Sequence, residues 1–184
     1  MSTRRGRALI AAAGLALIVV VAVLAVALRR GVDGAGAGRV DAGGRAMPAF
    51  VLQQFDGQRF AAAEHAGRPL FIYFWASWCV PCQQEAPVIQ KLWPEYRERG
   101  YTFLGIDIWD AESDARRFIQ QHGLTFPLAP DADPAVYVDY GVATLPAAFF
   151  LDPGLRARMR YQGPLDEATL RRLLEELAIH GSMS

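Results

Sequence analysis

The chain has 184 residues, with 19 lysines and arginines against 19 aspartates and glutamates, and two cysteines. That length suits one domain with a real hydrophobic core, and the balanced charge hides a division along the chain. Arg4, Arg5, Arg7, Arg29, Arg30, Arg39 and Arg45 outweigh Asp33 and Asp41 in the first 45 residues, a net of +5, so the remainder carries −5. An acidic folded part excludes nucleic-acid binding through a basic face.

Residues 1–7 read as a short cytoplasmic N-terminus. Ala8 to Leu28 is a run of 21 residues without a charge, flanked by arginines. At about 1.5 Å per helical residue it spans roughly 30 Å, the thickness of a bilayer core. It is expected to be a single-pass transmembrane anchor. A cleaved signal peptide is the competing reading, because Ala25-Val26-Ala27 resembles a small-residue cleavage site, although signal cores run about 7–15 residues. The positive-inside bias places the N-terminus in the cytoplasm and the rest of the chain on the extracytoplasmic side of the cell membrane. Residues 29–46, "RRGVDGAGAGRVDAGGRA", hold six glycines and read as a flexible tether. The folded domain is expected over 47–184.

Within that domain, "AFVLQQFDGQRF" predicts a hairpin turning at Asp56-Gly57, and "PLFIYFWAS" a strand covered on both faces. "CQQEAPVIQKLWPEYRERG" spaces Val88, Ile89, Leu92 and Tyr96 as on a helix ending at Gly100, with a kink expected at Pro87. "YTFLGIDIW" is the next buried strand. Asp110 is expected to cap the helix "AESDARRFIQQH", which stops at Gly123. Capping and dipole complementation account for Asp107, Asp110, Glu112 and Asp114 more simply than metal ligation does. A short strand and a short helix over about 134–140 follow. "AAFFLD" and "RARMRYQG" then pair around Pro153-Gly154, before the amphipathic helix "LDEATLRRLLEELAIHG". This order predicts an α/β fold with a mixed sheet.

Both cysteines lie in "WASWCVPC". A zinc site needs at least three protein ligands, and His65, His122 and His180 stand at no ligand spacing, so no metal is expected. A bridge across two residues closes too short a loop to restrain the unfolded chain much. Redox exchange remains, and a C-x-x-C near a βαβ pattern is the thioredoxin-like arrangement. A strand ends near Ala76 and a helix begins at the cysteines, so Cys79 sits where unpaired N–H groups favour a thiolate. That placement lowers a thiol pKa from about 8.5 toward 3.5–7.5. Cys79 is the expected nucleophile and Cys82, one turn inside, the resolving thiol.

"MPAF…FDGQRF…GRPLFIYFWASWCVPCQQEAP" and "YGVATLPAAFFLD" resemble the thioredoxin superfamily, and within it the TlpA/ResA/DsbE-type membrane-anchored thiol–disulfide oxidoreductases. The similarity covers about residues 46–180. It implies a thioredoxin-like fold with an N-terminal β-hairpin and a central insertion over Phe126 to Tyr140, behind one transmembrane helix. It further implies that Pro146 is the cis-proline facing the cysteines, leaving the backbone of Leu145 open to a substrate strand. Glu85, one turn after Cys82, matches a buried acid that exchanges a proton with the resolving thiol; an exposed helix glutamate is the alternative. Pro87 matches the family's helix kink.

This chain departs from the pattern at three places. Tyr73 stands where thioredoxin keeps a buried aspartate, which leaves proton handling to Glu85. Thr144 replaces a frequent glycine, and Ala147 a frequent threonine or glutamate. Of the tryptophans, Trp75 reads as structural and Trp78 as a substrate contact; Trp109 reads either as core or as part of the ligand-binding edge.

The expected activity is reduction of protein disulfides, with no cofactor beyond the Cys79–Cys82 disulfide. The resemblance implies partners such as apocytochrome c, in cytochrome c maturation, or copper-site proteins, with a membrane thiol carrier as electron donor. Three alternatives stand beside it: a disulfide-forming oxidase, a copper-binding metallochaperone for oxidase assembly, and a peroxiredoxin-like peroxidase. The Trp-Cys-x-Pro-Cys environment is that of a disulfide exchanger.

Overall fold

The order of elements along the chain is β1 (Gly38–Ala46), β2 (Val51–Gln53), β3 (Arg59–Ala61), a 3-10 turn (Ala62–His65), β4 (Leu70–Trp75), α1 (Val80–Glu98), β5 (Thr102–Asp107), α2 (Glu112–Gln121), β6 (Leu128–Pro130), α3 (Ala135–Asp139), β7 (Ala147–Leu151), β8 (Arg156–Gln162) and α4 (Glu167–Gly181). The structure is a computed structural model that describes residues 38–181 together with residue 14 and residues 20–22. Apart from those isolated positions, the expected anchor over 8–28 lies outside the described residues, as do the N-terminus 1–7 and the tether over 29–37. Among the described residues no helix is long and apolar enough to cross a membrane.

Six strands form one sheet in the order β1-β8-β7-β4-β5-β6, and β2 and β3 form a separate antiparallel hairpin. β4, β5 and β6 run parallel, whereas β7, β8 and β1 join antiparallel. The sheet is thus mixed, as expected. All six residues of β4 are buried, and the pleat sends them alternately to two cores. Phe71, Tyr73 and Trp75 face a core shared with Ile89, Leu92 and Tyr96 of α1 and Leu170, Leu173 and Leu177 of α4. Leu70, Ile72 and Phe74 face a second core with Phe60, Val136, Tyr140 and Phe149. Each such side chain contributes about 1.5–3 kcal/mol on burial.

α1 runs through Pro87 and Pro94 as one helix of 19 residues. Its buried positions Cys82, Glu85, Ala86, Ile89, Leu92, Trp93 and Tyr96 recur every three or four residues. The same periodicity that packs Ile89 and Leu92 on the sheet therefore carries Cys82 and Glu85 to the core side. Gly100, at φ 85°, lets the chain leave the helix.

Two expectations need correction. Residues 38–46, read as the end of a tether, form β1, which pairs with β8 from Gly38↔Gln162 to Ala46↔Arg156. The strand rests on main-chain pairing rather than on side-chain burial, so a glycine-rich segment can form it. Gly43 and Gly44, at φ 63° and 67°, absorb the irregularity in register between Asp41 and Arg45. Asp110 does not cap α2: the N-cap is Ala111, without a side-chain hydrogen bond, and Asp110 turns toward the cysteine loop instead.

Candidate active site

β4 delivers the chain to the C-terminal edge of the parallel strands and ends at Trp75, whose indole is fully buried and stacks on Phe118 at 4.5 Å. Four residues later Cys79 is the N-cap of α1, with extended backbone at φ −78°, ψ 102°. Its sulfur accepts from the backbone N–H of Cys82 at 3.3 Å. A cysteine thus takes the capping place usually held by a serine or aspartate, where N–H groups stabilise negative charge. Pro81 falls in the first turn, whose N–H groups are unpaired in any case.

Cys79 and Cys82 form a disulfide. Cys79 is 4% exposed and Cys82 fully buried, so the first cysteine is less open in the oxidised protein than a helix-start position suggests. The Leu145–Pro146 peptide is cis. β7 pairs with β4 so that Phe74 lies opposite Ala147, which sets Pro146 beside the strand end that leads into the cysteines. Leu145 is half-buried and packs against the core that contains both sulfurs.

Glu85 is 2% exposed. Its Oε2 accepts from the Leu165 N–H at 2.6 Å, donated by the loop before α4. Among the described residues Oε1 has no hydrogen-bond partner. Burial pushes the carboxyl up to about 8, with the Leu165 N–H and Tyr73 pulling weakly the other way. Glu85 lies on the same helix face as Cys82, and a carboxyl raised into this range can take up or release a proton near neutral pH.

Tyr73 joins this site, although only its departure from the thioredoxin pattern marked it in the sequence. Its hydroxyl donates to the Cys82 carbonyl at 3.5 Å, and burial together with Glu85 holds its own pKa well above the ordinary value. The alternation of β4 carries the signal, since Tyr73 shares a face with Trp75 and looks toward the core side of α1. Tyr73 thus stays neutral, with its hydroxyl against the Cys82 end of the disulfide.

The loop around the cysteines is pinned to the loop after β5. Asp110 accepts from Ser77 N at 2.5 Å and Ser77 Oγ at 2.7 Å. Trp78, 55% exposed, donates from Nε1 to the Trp109 carbonyl at 3.3 Å and stacks on its ring. Trp109 is 56% exposed, which rules out the core reading. No group of histidine, cysteine, aspartate and glutamate side chains that could hold a metal occurs among the described residues.

With this geometry in place, the comparisons with known proteins agree among themselves. The AhpC/TSA family matches residues 43–158. The thiol-disulfide oxidoreductase ResA of Geobacillus thermodenitrificans is 29% identical over 134 residues, 73% of this chain and 77% of that protein. ResA of Bacillus thuringiensis is 33% identical over 109 residues, 59% of this chain and 63% of its own length. A thiol:disulfide interchange protein of the thioredoxin family from Chlorobium tepidum superimposes with a TM-score of 0.67 at 26% identity, covering 75% of this chain and 99% of that one. The chain belongs to the AhpC/TSA family and is a thiol–disulfide oxidoreductase, with a close cysteine pair on a thioredoxin-like fold.

Proposed function

We propose that the protein reduces disulfides of exported polypeptides at the outer face of the cell membrane, held there by Ala8–Leu28. Cytochrome c maturation is the reading we favour: the cysteine pair of an apocytochrome would be the substrate, and a membrane thiol carrier the electron donor. The observation that carries the reductive direction is Glu85. A carboxyl with a pKa near 8 beside the resolving cysteine can take that thiol's proton when ionised, and in neither form does it bring a positive charge that would stabilise a thiolate in the reduced pair. Reductants need the second property, because a strongly stabilised reduced form makes an oxidant. The relatives named thiol-disulfide oxidoreductase ResA support the exchange chemistry on which this reading builds.

The exchange conserves two electrons. In the reduced protein the Cys79 thiolate attacks one sulfur of the substrate disulfide, a protein–substrate S–S bond forms, and the other substrate sulfur leaves as a thiolate that takes a proton. Cys82 then loses its proton to the Glu85 carboxylate and attacks Cys79 Sγ. The mixed disulfide breaks, the second substrate thiol departs, and the Cys79–Cys82 bond of the present structure results. A donor dithiol reverses the last bond and returns both electrons. Leu145, ahead of the cis-proline, supplies the backbone that aligns the substrate strand. Trp78 flanks it.

Cys82→Ser tests this reading, since it removes the resolving step and leaves the first attack intact. Expressed at the membrane, it should accumulate mixed disulfides with exported proteins that carry cysteine pairs, apocytochromes among them. Absence of any trapped polypeptide while Cys79 remains alkylatable would contradict it.

A further inference from the structure

The carboxyl that closes β5 takes no part in the exchange chemistry, yet it stands behind the loop that presents Cys79. Asp107 lies opposite Trp75 in the sheet, and its carbonyl accepts from the Asp131 N–H at 2.8 Å, so its backbone is fixed from both sides. Three residues on, past the positive φ of 60° at Trp109, Asp110 accepts from Ser77 N–H at Oδ2 and from the Ser77 hydroxyl at Oδ1. Gln83 Nε2 of α1 donates to the Ser77 carbonyl at 2.8 Å. Ser77 is thus held through every polar group it has, two residues before the N-cap sulfur.

Asp107 is 3% exposed and makes a side-chain hydrogen bond to Asp110. Ionised carboxylates only accept, so two of them cannot bond to one another and one must carry a proton. The Ser77 donors meet both oxygens of Asp110, which places the negative charge there. Asp107 has no such support. Its Oδ1 has no hydrogen-bond partner among the described residues, and ionising it would bury an uncompensated charge. The proton therefore sits on Asp107. The other acids around the same cavity, Glu112 of α2 and Asp131 after β6, bring no positive charge. The α2 arginines are engaged elsewhere, Arg116 with Glu112 and Arg117 with Asp114. Cys79 is the titratable group on the α1 side.

We propose that Asp107 and Asp110 share one proton and are positioning residues for Cys79: the Asp107 hydroxyl holds the Asp110 carboxylate on Ser77, and Ser77 holds the cysteine loop. The Cys79 sulfur thereby keeps its place on the Cys82 N–H. When the shared proton leaves, the two carboxylates repel and Asp110 releases Ser77. Burial, with the hydrogen bond and charge of Asp110 adding to it, raises the Asp107 carboxyl to about 8, so the release falls just above neutral pH. The inference rests on Cys79 as the attacking thiol.

Asp107→Asn keeps an N–H donor for Asp110 and cannot ionise, so it freezes the protonated arrangement. The first attack on oxidised glutathione is timed for reduced Cys82→Ser protein, with and without Asp107→Asn, from about pH 6.5 to 9.5. Glu85 titrates in both proteins and cancels in the ratio of rates. The Asn-to-Asp ratio should rise by about three- to tenfold across that range, less than the full worth of one charge-assisted hydrogen bond because Gln83 still holds Ser77. Hydrogen exchange at the Ser77 amide of the oxidised proteins should show the matching change. Its protection, corrected for the intrinsic rate, should fall with pH in the parent and hold in Asp107→Asn. A flat ratio overturns the proposal. So does a rising ratio with level Ser77 protection in the parent, because a bare charge near the sulfur would then suffice. Should Asp107→Asn not fold, the carboxyl 13C resonance of Asp107 in the unsubstituted oxidised protein decides. It should move chiefly above about pH 7, and a resonance that has finished moving by about pH 6, as for an ordinary aspartate, overturns the proposal. Loss of all attack by Cys82→Ser overturns the assignment of Cys79, and this role for the pair with it.

Discussion

Replacing Glu85 with glutamine should flatten the pH dependence of stability. In the folded protein the carboxyl is raised from 4.5 to about 8, chiefly by burial. Between those values the native state keeps a proton that the unfolded chain has released, so stability falls as pH rises. The loss is about 1.4 kcal/mol per pH unit and sums to about 4–5 kcal/mol above pH 8. Glutamine resembles the protonated acid: its carbonyl oxygen can still accept from Leu165 N–H, and it never ionises. Glu85→Gln should therefore match the parent near pH 4.5 and exceed it by about 3–5 kcal/mol at pH 9. Urea unfolding of both proteins with the disulfide intact, at half-unit steps of pH, measures the difference. Keeping the disulfide closed removes cysteine ionisation from the comparison. Asp107, also raised to about 8, is present in both proteins and cancels. Parallel stability curves would show that Glu85 is ionised at neutral pH and would remove its role as a proton carrier.

Cys79→Ala should abolish dithiol exchange, whereas Cys82→Ala should still attack disulfides and stall as a mixed disulfide. Alkylation of the reduced protein at neutral pH should label Cys79 first, and faster labelling of Cys82 would reverse the assignment. Gly105→Ala should cost about 1–3 kcal/mol in thermal or urea melts, because the new Cβ would meet Leu128 Cδ2 at 2.5 Å and the rings of Phe126 and Trp75 at 3.0 and 3.1 Å. A chain begun at residue 47 should stay folded, within about 1 kcal/mol of one begun at residue 38, since ordering nine strand residues offsets most of what their ladder contributes. It should nevertheless self-associate through the bared edge of β8, which sedimentation velocity would detect.

The sequence carried most of the fold because β4, β5, β7 and α1 bury enough side chains for their periodicity to show. Asp56-Gly57 marked the hairpin, and Gly100 and Gly123 the helix ends, because positive φ there leaves a residue-type signature. β1 left none. Its partner is β8, more than a hundred residues away, and a strand held by main-chain bonds on an edge needs no apolar pattern. Asp110 was misplaced for a related reason. An aspartate just before a helix is an N-cap by local rules, but Ser77 offers two donors from another loop, and tertiary geometry decides between them. Cys79, Cys82 and the cis Pro146 could be read from short motifs. The burial of Glu85 follows from its helical spacing to Cys82, whereas its partner Leu165 lies 80 residues downstream and was invisible. Trp109 illustrates the limit of hydropathy: a tryptophan at a strand end reads equally as core or as binding edge, and its 56% exposure decides for the edge.

The direction of electron flow is the central claim, and the equilibrium reduction potential of the Cys79–Cys82 pair tests it most directly. The purified domain is equilibrated with graded mixtures of reduced and oxidised dithiothreitol or glutathione, quenched with acid, and the fraction reduced is read by alkylation and mass. A buried carboxyl that brings no positive charge to stabilise the thiolate predicts a potential at or below about −200 mV, toward thioredoxin's roughly −270 mV. A value near −120 mV, where a stabilised thiolate makes DsbA an oxidant, would contradict the account and assign this protein to disulfide formation.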